Sequence, residues 1–489
     1  MAEPLVHWQQ RCHEEWLLGV DPQQIVEEVE RRSQLLTQLR HQGILPRVLL
    51  VESDPVAFLA GCIAACVTES PVFLGNPHWA ETEWQQVWQM TQPHIVWSES
   101  TTLPEDKTSN TPSSLTEIKG DQDIQLQAHS SSPFPFQNYL ERQINHFAES
   151  SAKPGWIMIP TGGSSGRIRF VIHTWETLMA SVQGFQQHFQ VERVNSCCVL
   201  PLYHVSGFMQ FLRSFTSGGQ LAVLPFKDLK NGIKPCLNSS NFFLSLVPTQ
   251  LQFILQNADL TDWLIQFQTV LLGGAPASEQ LLEIAREKGI RLAPTYGMTE
   301  TASQVATLTP EKFLQGHRSS GHHLPHARIT ILDSTHQVLM ANEVGIVAIQ
   351  AESLALGYYP NRFDSNEYFN TDDLGFIDDQ GELHIVGRNS EKIITGGENV
   401  FPVEVESAIL ATGLVTDVCV FGISNPHWGE VIVAVYVPQH PEIQSSEIQE
   451  AIAHQLSRFK HPKQWIAVSE IPRNPQGKIN RQQFASQII

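Results

Sequence analysis

Nowhere in the sequence is there a run of about 18 apolar residues, so no segment reads as a transmembrane helix. There is no CxxC pair either, although the chain holds seven cysteines. Cys62 and Cys66 fall in an apolar helical run and Cys197 and Cys198 open an apolar strand, the pattern of core thiols in a reducing compartment. Positive charge is also short: 31 Lys and Arg face 50 Asp and Glu, a net charge of −19. Nucleic acid and anionic membranes reward clustered cations, so both are disfavoured as partners. A nucleotide is not, because it needs only a local pocket of amides and a cation or two. The opening segment MAEPLVHWQQRCHEEW lacks the apolar centre of a signal peptide and the Arg/Ser bias of a transit sequence. The expectation is a cytoplasmic protein without membrane insertion; a monomer and a homo-oligomer both remain open.

What is present points to a large α/β protein. At 489 residues, 42% hydrophobic and 17% charged, the chain exceeds one ordinary core and should divide into domains. Helical spacing over 22–39 predicts a surface helix, and ILPRVLLVES (44–53) a buried strand feeding a helix at 56–67. SPVFLGNP (70–77), WIMIP (156–160), CCVLPLY (197–203), FFLSLVP (242–248), TVLLGG (269–274) and IRLAPTYG (290–297) continue the strands. Helix-like segments such as 277–288 alternate with them, which predicts parallel sheet covered on both sides. Residues 98–136 are polar and predict a long surface loop. Short alternating runs over 345–388 predict a small antiparallel barrel, and a separate βα pattern follows. The division expected is 1–387 and 388–489.

Five segments carry chemistry. IPTGGSSGRIRFVIHT (159–174) runs from a strand into a loop of glycines and hydroxyls followed by Arg167 and Arg169, suited to converge amides on a phosphate. It matches neither the Walker nor the dinucleotide glycine pattern. PTYGMTETAS (294–303) offers the aromatic face of Tyr296 and the oxygens of Thr299 and Glu300, ligands for a hard cation. YFNTDDLGFIDDQGELHIVGR (368–388) supplies Asp373, whose carboxylate suits paired ribose hydroxyls, and Arg388. GRNSEKIITGGENVFPVEVE (387–406) leads through Gly396 and Gly397 to a helix opened by Pro402, and IPRNPQGKINRQQ (471–483) carries Lys478 on a Pro/Gly-rich tip. Singly, each has an ordinary explanation as a turn, a solvated carboxylate or a surface lysine.

In this order the five resemble the core motifs of the adenylate-forming superfamily, which includes acyl-CoA synthetases, peptide-synthetase adenylation domains and firefly-type luciferases. The resemblance spans residues 44–483. PLYHVSGFMQFLRS (201–214) and SEKIITGGENVFPVEVE (390–406) are most similar to o-succinylbenzoate–CoA ligases, and TGGSSGRIRF to their cyanobacterial and plastid branch.

The resemblance implies an α/β fold with a large N-terminal domain of layered sheets and helices plus a mobile α+β C-terminal domain. ATP, Mg²⁺ and CoA would be its small-molecule partners beside an acid. The phosphate loop would be Thr161, Gly162, Gly163, Ser164, Ser165 and Gly166; Ile168 and Arg169 stand where the family generally has Pro and Lys. Gly274, Ala275 and Pro276 would line the adenine and acyl pocket, with Tyr296 packing on the base and Gly297 and Met298 beside it. Thr299 would touch the α-phosphate, Glu300 would hold Mg²⁺, and Asp373 and Arg388 would bind ribose. Lys478 would bridge the acid and the α-phosphate. Ser390 would be the hinge and Gly396 and Gly397 a wall of the pantetheine tunnel. His204 is a candidate gate beside the acid, and Arg213, in an otherwise apolar stretch, a candidate partner for a second carboxylate. Rival readings are a ligase for another aryl or fatty acid, an enzyme that loads a carrier protein, and a non-catalytic nucleotide binder.

Overall fold

Two early helices start at Asp-Pro pairs, and each aspartate caps its helix. In the helix Pro22–His41, Asp21 accepts from the Gln23 amide, and in Pro55–Val67, Asp54 accepts from the Ala57 amide. Proline in the first turn gives up no needed hydrogen bond there. The computed structural model describes residues 3–98, 152–162, 167–363, 368–473 and 479–488. The polar stretch from residue 99 onward, Gly163, Ser164, Ser165, Gly166 and Lys478 lie outside the described residues.

Two seven-stranded sheets form the larger part of the fold. The first contains β1 (Val48–Leu50), β2 (Val72–Leu74), β3 (Ile95–Trp97), β4 (Ile157–Gly162), β5 (Ile168–His173), β15 (Gly357–Tyr358) and β16 (Asn361–Arg362). Their order is β16-β15-β5-β4-β2-β1-β3. The second is ordered β12-β11-β10-β9-β8-β6-β7. Its members are β6 (Asn195–Cys198), β7 (Leu221–Val223), β8 (Phe242–Leu246), β9 (Thr269–Leu272), β10 (Leu292–Met298), β11 (Ser303–Thr307) and β12 (His322–His323). Each sheet is parallel where strands alternate with helices, as the apolar runs predict, and becomes antiparallel at β4–β5 and β10–β11. Those two changes of direction leave Gly162 and the Thr299–Glu300 turn at strand ends.

Residues 327–388 form a four-stranded antiparallel sheet of β13 (Ala327–Leu332), β14 (Gly345–Ala351), β17 (Phe369–Ile377) and β18 (Leu383–Arg388). Its order β13-β14-β17-β18 leaves the two end strands unpaired with each other among the described residues, so it is an open sheet where a small barrel was expected. A further sheet draws every strand from beyond Arg388: β19 (Ile393–Thr395), β20 (Glu398–Val400), β21 (Val415–Asn425), β22 (Gly429–Pro438) and β23 (Gln464–Ala467). It has its own core around Val405, Ile409, Val420, Ile432 and Ile448. Cys62, Cys66, Cys197, Cys198 and Cys419 are buried. Among the described residues no helix is long and apolar enough to cross a membrane.

Candidate active site

The turn after β10 is the centre of the site, and glycine makes it possible. A Cβ on Gly297 would lie 2.0 Å from the Ser303 carbonyl oxygen of β11, so only glycine lets the strands approach there. The strand register shifts at this point, a bulge that turns the next residues out of the sheet. Thr299–Thr301 then make one 3-10 turn, followed by Ala302 and Ser303 at φ 51° and 91°. Such backbone persists only where its surroundings hold it. Here Ser181 Oγ donates to the Ala302 carbonyl at 2.7 Å, Ser353 Oγ to that of Thr301 at 2.9 Å, and the Ala355 amide to that of Glu300 at 2.8 Å. Met298 joins through its amide, which donates to Thr301 Oγ1 at 3.0 Å.

His173, at the end of β5, fixes the same turn. Its Nε2 lies 2.8 Å from the Thr299 carbonyl and its Nδ1 lies 3.0 Å from Thr177 Oγ1. Burial pulls its pKa down to about 4, so the ring is neutral and must carry its proton on Nε2 to donate to a carbonyl.

On one side of the turn, Tyr296, Asp373 and Arg388 meet. The Tyr296 hydroxyl donates to Asp373 Oδ2 at 2.8 Å, and Arg388 Nε lies 3.3 Å from Asp373 Oδ1. Asp373 and Arg388 are cross-strand partners on β17 and β18, which explains why residues so far apart in sequence touch. Burial first, and the Asp373 charge second, push the Tyr296 phenol well above its ordinary pKa, so it remains a donor. The expected base platform is thus held by its hydroxyl end. The loop Gly274, Ala275 and Pro276 begins beside the same strand, since a Cβ on Gly273 would meet Thr295 Oγ1 at 2.5 Å.

Glu300 is 7% exposed, and among the described residues no Lys, Arg or His pairs with it. Its Oε1 accepts from the Tyr358 hydroxyl at 2.6 Å. Buried carboxylates are paired or coordinate metals, so this one fits a hard cation. Thr161 and Gly162 end β4, paired with Arg169 and Ile168 of β5, which sets Arg169 opposite Thr161, the first residue of the loop expected to hold phosphate. Its guanidinium lies over the Tyr358 ring, 4.2 Å from the centroid.

Arg213 presents the opposite case, a buried cation. It is 2% exposed on the helix Val205–Ser217. Its Nη2 donates to Ser303 Oγ at 2.9 Å, and its guanidinium sits 4.3 Å from the Phe185 ring centroid. Its Nε has no hydrogen-bond partner among the described residues. Burial pulls its pKa down to about 9, which leaves it charged at neutral pH. His326 lies near it at 8% exposed, and neither ring nitrogen has a hydrogen-bond partner among the described residues. Burial, then the Arg213 charge, lowers His326 to about 4. His204 opens the same helix at 9% exposed, 4.4 Å from the Tyr203 ring.

Two candidates lie beyond β18. The Ser390 amide donates to Asp372 Oδ1 at 3.1 Å and its hydroxyl donates to Asp372 Oδ2. Gly396 and Gly397 form the two-residue turn between β19 and β20, with φ of 60° and 86°. Positive φ at both positions is what a tight hairpin of this type demands, so the glycines have a local reason to be there. Sequence reasoning missed Tyr358, His173 and His326. Nothing short-range marks them, because each acts on residues distant along the chain.

Residues 23–359 match the AMP-binding enzyme family and residues 404–478 the AMP-binding enzyme C-terminal domain. A 2-succinylbenzoate–CoA ligase of Geobacillus sp. (strain WCH70) is 32% identical over 72% of this chain and 72% of its own. The ligase of the same name from Enterococcus faecalis (strain ATCC 700802 / V583) is 31% identical over 67% and 68%. The o-succinylbenzoate CoA synthetase of Bacillus subtilis, solved with its acyl-adenylate intermediate, superposes with a TM-score of 0.79. That match covers 99% of this chain and 98% of the other at 22% identity. Five ordered motifs and a family match over most of the length agree: the chain belongs to the AMP-binding enzyme family.

Proposed function

We propose that this chain is an AMP-forming 2-succinylbenzoate–CoA ligase. The observation that carries the reading is the single turn from Tyr296 to Glu300, with a tyrosine–aspartate–arginine chain on one side and, on the other, a buried carboxylate that has no ion pair among the described residues. In this reading Asp373 and Arg388 hold the ribose, while Tyr296 and the loop 274–276 flank the adenine. The loop from Thr161 to Gly166, with Arg169, takes the β- and γ-phosphates, and Thr299 faces the α-phosphate. Glu300 would hold Mg²⁺, whose positive charge would offset the negative charge developing on the phosphates.

The chain's own work is positioning and charge. The acid's carboxylate oxygen attacks the α-phosphorus and pyrophosphate leaves, with Lys478 neutralising the approach of two anions. The small domain then turns about Ser390, withdraws Lys478 and brings Gly396 and Gly397 to the channel through which the CoA thiol reaches the acyl carbon; AMP departs as the thioester forms. Arg213 suits the second carboxylate of the acid, because a buried guanidinium with no anionic partner among the described residues is completed by one. Relatives named for the same dicarboxylic acid support that choice. A cytoplasmic site of action belongs to the reading and is supported by seven cysteines that are all free thiols.

A panel of acids with ATP, Mg²⁺ and CoA, followed by AMP and thioester release, tests it. 2-Succinylbenzoate should lead by a wide margin; a profile led by fatty acids sinks the substrate assignment. Arg213→Ala should raise the acid KM about 100-fold, the loss of a charge-assisted pair, with little change for ATP. Lys478→Ala should abolish acid-dependent ATP–pyrophosphate exchange while the protein stays folded.

A further inference from the structure

Tyr358 joins two parts of the site that chain order keeps apart. Its hydroxyl donates to Glu300 Oε1 at 2.6 Å across 58 residues of sequence, and the Arg169 guanidinium rests 4.2 Å from its ring centroid. The backbone explains the meeting. β15 pairs antiparallel with β5, Tyr358 opposite Val171, so Arg169 two residues back lies within reach of the ring. Arg169 in turn pairs across β4–β5 with Thr161, where the phosphate-loop segment begins. Phe363 packs edge-on against the ring at 5.2 Å and limits its rotation. A continuous chain of contacts therefore runs Thr161–Arg169–Tyr358–Glu300.

We propose that Tyr358 is a positioning residue: its hydroxyl orients the Glu300 carboxylate toward a hard cation, while its ring seats Arg169 opposite Thr161. Cation binding and phosphate binding are then coupled through one side chain. The inference rests on Glu300 being the cation's ligand. A carboxylate has about four acceptor positions, so one phenol bond fixes its rotamer and leaves Oε2 open. A phenol carries its proton at neutral pH and donates it here to the carboxylate. The aromatic face attracts the guanidinium without neutralising it, so Arg169 retains its full charge for a phosphate. Had Arg169 paired with Glu300 directly, the two charges would have satisfied each other; the ring between them keeps both available.

Tyr358→Phe removes only the hydroxyl and keeps the seat for Arg169. Two quantities are measured: the Mg²⁺ midpoint of acid-dependent ATP–pyrophosphate exchange, and the gain in affinity that Mg²⁺ gives a non-hydrolysable ATP analogue in calorimetry without acid. The expected result is a midpoint raised about tenfold, the size of one hydrogen bond to a charged group, with a matching loss of the calorimetric gain and an unchanged acid KM. Tyr358→Leu, which also removes the ring, should in addition weaken the analogue without Mg²⁺, and Arg169→Gln should reproduce that second loss alone. An unchanged midpoint and gain in Tyr358→Phe overturn the proposal, as does a lower melting temperature with uniformly reduced kcat, the signature of a structural role. Glu300→Gln separates the two levels. If it shifts the midpoint and Tyr358→Phe does not, this inference alone fails; if it shifts nothing, the assignment of Glu300 falls and takes the inference with it.

Discussion

Asp373 is asked to do two things at once, and its two oxygens divide the work. Oδ2 accepts from Tyr296 and Oδ1 faces Arg388. Removing the charge while keeping the shape should therefore release both neighbours. Asp373→Asn is expected to raise the KM for ATP about 10- to 100-fold, in keeping with one or two charge-assisted hydrogen bonds lost, and to leave the acid KM within twofold. Steady-state kinetics with each substrate varied in turn checks this. Asp373, Glu300 and Arg388 could be proposed from sequence because each stands in a short motif with a chemical reason for its residue type. Tyr358 was not, since its aromatic ring after Gly357 looks like any strand residue until β15 is laid beside β5. His326 was hidden in the same way: a histidine in HHLPH carries no sign that Arg213 of a distant helix will be its neighbour.

Among elements, the hairpin of β19 and β20 has two explanations for its glycines, and one substitution separates them. Both φ values are positive, which the turn requires by itself. Asn-Gly satisfies that requirement, so Gly396→Asn should leave the fold within about 1 kcal/mol of the parent. A Cβ there would still lie 3.1 Å from the exposed Trp428 ring. If the turn lines the thiol channel, adenylate formation should proceed normally and thioester formation slow about tenfold or more; equal rates for both half-reactions would leave the glycines with their turn alone. The element after β10 has no such freedom. In Gly297→Ala the new methyl meets backbone, not a movable side chain, and a loss of about 2–4 kcal/mol in chemical denaturation is expected. The helices Pro22–His41 and Pro55–Val67 were readable from sequence, because apolar spacing within an element is local. The antiparallel additions to both sheets were not, because strand partners are chosen across distances that no window of sequence spans.

Over the whole molecule, four histidines, His94, His173, His188 and His326, are each held at about 4 by burial first of all. The unfolded chain binds protons at these rings near pH 6.5 while the folded chain does not, so stability rises with pH between those values. It is fully present above about 6.5 and is lost as pH falls toward about 4. Thermal melts from pH 7.5 to 5 should show the melting temperature falling with acid, and His326→Gln should flatten that slope. Glu300 and Arg213 are also buried, and among the described residues each has hydrogen bonds but no ion-pair partner. A ligand that completed them in the native state alone would add about 2.7 kcal/mol of stability at 100 times its dissociation constant. In a cell, that difference sets how often the chain opens to a protease. An AMP-binding enzyme built this way would survive longest where its substrates are plentiful, so that its abundance follows the supply of what it consumes without any gene being regulated.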